Sequence, residues 1–125
     1  MNQLLPFLIL LLVIGCGRQP NYTIYKLPSG KQIKLMKVGK IFFSNDTPAL
    51  MLQYQTDLKL SDSVAVIREV GEIWQVFKID VDKARLACGI ISAYESQGGV
   101  ILERGTMHNV VFRKGDNGDW LRLGE

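Results

Sequence analysis

At 125 residues, the chain has room for one small domain and no more. With 47% hydrophobic and 22% charged residues it cannot be a wholly disordered tail. The formal net charge of +3 leaves it mildly basic, and the charge is unevenly spread.

The first sixteen residues carry the strongest signal. An apolar run from Leu4 to Ile14 is followed by Gly15 and Cys16, and no charged side chain precedes Arg18. As a helix the run is roughly 16 Å long, whereas a bilayer core of ~30 Å needs about twenty residues. It is too short to span and has the length of a secretory signal's apolar region. The sequence Val13-Ile14-Gly15-Cys16 resembles the lipobox of bacterial lipoproteins. That resemblance implies cleavage between Gly15 and Cys16, thioether diacylation of Cys16, and usually a third acyl chain on the new amine. Several chains are needed because one alone anchors only weakly and reversibly. In a Gram-negative cell, Gly17 at the position after the cysteine implies transfer to the outer membrane, with the domain facing the periplasm. The expected organisation is a signal peptide over 1–15, a lipidated N-terminus and tether over 16–21, and a single domain over 22–125.

Strand signals begin after the tether. Residues 22–27 read as a strand closed by a tight turn at Pro28-Ser29-Gly30, where Pro presets φ and Gly accepts a positive one. Gln32 to Val38 alternates, with Ile33 and Leu35 on one face, and slips near Lys37-Val38-Gly39, which suggests a bulge. Ile41 to Phe43 reads as a buried continuation and 44–48 as a turn. Leu50, Leu52 and Tyr54 then alternate with Met51, Gln53 and Gln55 to give a third strand. Tyr54, Phe42, Phe43, Trp74 and Phe77 are all candidates for the core.

The period changes at Ser61. Val66, Val70, Ile73 and Phe77 recur at helical spacing, widened by Ile67 and Trp74, and Arg68, Glu69, Glu72 and Gln75 are expected on the other face. The main helix is expected over about 62–78, with Ser61 or Asp62 as N-cap. Gly71 weakens it, and its missing side chain suggests close packing on the sheet. Residues 80–85 read as a separate helical turn or a loop. Strand signals return over 86–94, 100–104 and 109–113, joined by short Gly-containing connections that favour hairpins. Asp116-Asn117-Gly118-Asp119 makes a last turn before Trp120, which either staples the final strand or stands as an exposed anchor. The expected class is α+β: about six strands in a mainly antiparallel sheet, order βββ-α-βββ(β), with one helix on one face. Whether the strands flanking the helix run parallel or antiparallel is left open.

The inventory of chemistry is thin. His108 is the one histidine, and it falls in a predicted turn without a partner at ligand spacing, so no metal site is expected. Residues 116–119 lack the spacing and distal Glu of a calcium loop. No nucleophile elbow, phosphate loop or dinucleotide fingerprint occurs, and no catalytic residue or cofactor is expected. Glu95 and Glu103 flank one predicted hairpin, a weak candidate for a carboxylate pair. Cys88, in an apolar run, reads as an inert core thiol, the alternative being a reactive or intermolecular one.

Charge says more. Up to Asn45 the chain holds Arg18, Lys26, Lys31, Lys34, Lys37 and Lys40 and no acid. These are candidates for contact with anionic headgroups or cell-wall carboxylates, against the plainer role of solubilising strands and blocking edge pairing. On an ideal strand Lys34 points away from Lys31 and Lys37. Export separates the protein from nucleic acid, and no aromatic–basic platform is evident. The expectation is therefore a lipid-anchored, non-catalytic envelope module whose partners are the membrane and an envelope protein or wall polymer. The alternatives are a small inhibitor or immunity-type lipoprotein acting on an envelope-directed enzyme, or a wall or lipid hydrolase.

Overall fold

The computed structural model describes residues 22–97, 100–101 and 107–123. The signal peptide, Gly15, Cys16, Arg18 and the tether lie outside the described residues, as do Glu103 and most of the 98–106 connection. The elements are β1 (Thr23–Lys26), β2 (Gln32–Phe42), β3 (Pro48–Thr56), α1 (Ser63–Lys83), β4 (Cys88–Gln97), β5 (Val100–Ile101), β6 (Met107–Lys114) and β7 (Trp120–Arg122). One sheet runs in the order β1-β2-β3-β4-β6-β7, and β5 pairs with β4 off that path. This is the expected α+β arrangement.

The open question about the helix-flanking strands is answered by the register. β3 and β4 are parallel, from Leu50↔Gly89 to Thr56↔Glu95, and every other described pair is antiparallel. A parallel pair needs a crossover that carries the chain back along the strand. The 21 residues of α1 cover roughly 31 Å and the nine residues of β3 roughly 30 Å, so one pass of helix closes the unit.

Asp62 caps α1 and accepts a hydrogen bond from Ala65 N–H at 3.3 Å. The helix runs five residues past the expected end at 78. Val81 adds one more turn to the apolar stripe and is fully buried, while Asp80 and Asp82 face solvent. The separate helical turn or loop expected at 80–85 is instead continuous with α1 as its last turn and closure. Arg85 takes φ 60° and donates to Asp82 O, and Leu86 N–H returns to Val81 O at 3.2 Å, which is a Schellman closure without glycine.

The core lies between α1 and one face of the sheet. It joins Leu27 and Ile33 to Leu52, Tyr54, Ile91, Ala93, Val110 and Phe112, under Val66, Val70, Ile73, Trp74, Phe77 and Val81. Trp74 stacks on Phe112 with centroids 4.0 Å apart, and Trp120 meets Trp74 edge-on at 5.0 Å. Trp120 is thus a staple for β7. The close approach expected at Gly71 occurs instead at Gly89. A Cβ on Gly89 would lie 2.8 Å from Trp74 Cζ3, whereas one on Gly71 would meet nothing within 4 Å. Gly71 is on the flank of the helix, so its side-chain position opens to solvent space and not to the sheet.

The opposite sheet face has a smaller cluster of Ala49, Cys88 and Ile90, with Ile41, Phe43, Met51 and Val111 packed around it. Phe42 belongs to neither cluster. It sits opposite Pro48 at the tip of the β2–β3 hairpin, 61% exposed, where the core under α1 does not reach.

Candidate functional site

The basic residues come first. Tyr54 bonds to α1, so Gln53 and Gln55, which alternate with it, point to the face away from the helix. Lys37 pairs with Gln53 and Lys34 with Gln55, so both lysines share that face. The reason is a bulge: the register shifts between Leu35 and Lys37, leaving Met36 as the extra residue. This corrects the ideal-strand expectation, which sets Lys34 and Lys37 on opposite sides. In β1, Ile24 pairs with Lys34 and Lys26 with Gln32, so Ile24 and Lys26 join them. Lys34 donates to Asp57 Oδ1 at 2.9 Å and lies 5.4 Å from the Tyr22 ring centroid. The hydrogen bond to Asp57 holds its ammonium above the usual lysine value.

The other lysines go elsewhere. Lys40 pairs with Leu50 on the helix side and lies over the Phe42 ring at 5.4 Å. Lys31, in the β1–β2 turn, forms a 2.8 Å ion pair with Glu69 Oε2. The six-residue basic set is therefore no single patch: Lys26, Lys34 and Lys37 are gathered, Lys31 and Lys40 are not, and Arg18 lies outside the described residues.

Glu69 is the residue that sequence reasoning misplaced. Expected on the polar face of α1, it is only 6% exposed. Its Oε1 accepts hydrogen bonds from Tyr54 Oη and Thr56 Oγ1, both at 2.7 Å, and its Oε2 takes Lys31. At 100° per residue Glu69 stands only about 40° round the helix from Ile73, on the flank of the apolar stripe. That nearness, together with two hydroxyls at alternate positions of a central strand, is the signal that could have found it. Burial, and next Glu69, raise the pKa of Tyr54 well above the ordinary tyrosine value. With a lysine and two hydroxyls on its two oxygens, this carboxylate is satisfied as a buried anion, which suits a packing role.

The remaining candidates are dispersed. Glu95, at the carboxyl end of β4, accepts from Leu60 N–H at 3.1 Å and fixes the loop before α1; its suggested partner Glu103 lies outside the described residues. His108 is not in a turn but in β6, opposite Ala93, half-buried, and its Nε2 is buried without a hydrogen-bond partner among the described residues. Cys88 is buried, and desolvation pushes its thiol above the ordinary cysteine value despite Arg113 nearby. Residues 116–119 form the expected β6–β7 turn, with Gly118 at φ 89° and Asn117 Oδ1 accepting from Asp119 N–H. Among the described residues no three His, Cys, Asp or Glu side chains gather as a metal site, and no helix is long and apolar enough to cross a membrane.

No protein-family model matches the chain, no curated protein matches it, and no solved structure matches it.

Proposed function

We propose that this is a lipid-anchored cell-envelope protein whose domain works by binding and not by catalysis. The observation that carries the reading is the run from Leu4 to Ile14 ending in Gly15-Cys16, which has the length of a signal region and the residues of a lipobox. Cys16 then holds the acyl chains, and the chain reaches its first strand at Thr23 after a short tether. The non-catalytic part is supported by how the buried polar groups are used. Glu69 is held by Lys31, Tyr54 and Thr56, and Glu95 by a backbone N–H, so both carboxylates have roles in the fold. Cys88 is a buried thiol with a raised pKa, the opposite of an activated nucleophile.

The test is the mass of the protein purified from bacterial membranes. The expected N-terminal fragment starts at Cys16 and carries a diacylglyceryl group on its sulfur. Cys16→Ser should leave residues 1–15 attached and the lipid absent. A wild-type fragment with an unmodified Cys16 would overturn the anchoring reading.

A further inference from the structure

We propose that the β1–β2 face carrying Ile24, Lys26, Lys34 and Lys37 is the surface by which the domain lies against an anionic lipid bilayer. The inference rests on the anchored reading for its geometry, but its charge argument stands by itself. Among the described strand residues the only carboxylate is Glu95, and it reaches Leu60 beside α1. The face away from the helix therefore has Lys26, Lys34, Lys37 and, farther off, Arg113, with no strand carboxylate opposing them. Asp57, just past β3, engages Lys34, while Lys26 and Lys37 make no ion pair with a described residue. On the other side the acids of α1 have cations close by: Glu69, Glu72, Asp80 and Asp82 share the helix with Arg68, Lys78 and Lys83, and Glu69 and Asp82 are ion-paired to Lys31 and Lys114. An anionic surface is attracted to the face whose cations no strand carboxylate opposes.

The local construction fits a bilayer better than bulk water. The Met36 bulge turns Lys37 onto the face of Lys34; without it, Lys37 would point toward the helix side. Ile24, directly opposite Lys34, is 48% exposed, so a branched apolar side chain stands among the ammonium groups. Aliphatic lysine stems beside it can enter an interface while their charges stay at headgroup level. β1 is the outermost strand of the sheet. From Cys16 to Tyr22 six residues extend at most ~20 Å, so the acyl chains keep this edge close to the membrane.

The test uses the full chain, expressed with its leader, purified and reconstituted into vesicles of phosphatidylcholine alone or mixed with phosphatidylglycerol. Ile24→Cys bears an environment-sensitive fluorophore, with Ile79→Cys on the outer side of α1 as control. Both sites are about half exposed, so neither substitution empties the core, and the unsubstituted chain reports any labelling of buried Cys88. The label at 24 should shift to the blue and escape an aqueous quencher only in the anionic vesicles, reversibly with salt; the label at 79 should remain quenched in both. Each of Lys26→Gln and Lys37→Gln should lower the ratio of shielded to exposed label about fivefold. Intact mass reads Cys16 acylation separately. A label at 24 that stays exposed on acylated, vesicle-bound protein overturns the docking surface and leaves the anchor standing. Equal shielding in both lipids overturns the role of charge and with it the proposal. Unmodified Cys16 together with shielding confined to anionic vesicles removes the anchor and supports the surface.

Discussion

Glu69 links three segments far apart in sequence: the β1–β2 turn through Lys31, the central strand through Tyr54 and Thr56, and the helix itself. The raised pKa of Tyr54 gives this cluster a pH signature. The unfolded chain releases the phenolic proton near pH 10, whereas the folded chain keeps it. The unfolded state then binds fewer protons, so stability is level below about pH 10 and falls above it, by up to ~1.4 kcal/mol per pH unit. Denaturant titrations across alkaline pH should show that slope, and Tyr54→Phe should flatten it while lowering stability at neutral pH by about 1.5–3 kcal/mol, the worth of a hydrogen bond to a charged group. Two glycines make a second contrast. Gly71→Ala should stabilise by about 0.5–1 kcal/mol, since a helix interior gains and nothing is touched. Gly89→Ala should destabilise by about 1–3 kcal/mol, because its methyl group meets a Trp74 ring already pinned by Phe112. Urea midpoints decide both. The sequence shows Asp62 as a cap and Gly30 in a turn because those roles depend on neighbours a few residues away. The burial of Glu69 depends on partners thirteen or more residues distant, and the clearance at Gly89 on Trp74, fifteen away, so no local pattern holds them.

At the level of elements, the end of α1 is the sharpest departure from expectation. Asp80 and Asp82 break the apparent stripe, yet a single residue, Val81, keeps the apolar spacing and carries the helix to Lys83. The closure then falls on Arg85, a residue with a Cβ in left-handed backbone. Arg85→Gly should relieve roughly 1 kcal/mol of that strain and raise the thermal midpoint by several degrees. A midpoint unchanged or lowered would mean that the arginine side chain contributes more than its backbone costs. The bulge in β2 is legible as a lapse of alternation, but the pattern places it one to three residues late. Met36 is apolar and half-buried, so hydrophobicity alone does not mark it as the extra residue; only pairing with β3 does. Phe42 fails for a related reason, since an aromatic side chain at a hairpin tip has the composition of a core residue and no core within reach.

For the whole molecule, the α+β class followed from the change of period at Ser61, and the parallel seam did not. A linker that holds one helix fits either direction of the next strand, so the register had to come from the packed sheet. The far end of that sheet depends on aromatic packing. Trp120 is the contact through which the three-residue β7 joins the Trp74–Phe112 stack. Trp120→Ala should cost at least ~1 kcal/mol for the lost ring pair and reduce the near-ultraviolet circular dichroism, with the far-ultraviolet helix signal kept. The seam between β3 and β4 also sets a timetable. Thr56 pairs with Glu95, so the second side of β3 waits for 39 further residues to be made. At about 10 residues per second that is close to four seconds on the ribosome. For that interval β3, with Leu50, Leu52 and Tyr54 on one face and Ala49 and Met51 on the other, keeps one edge unpaired.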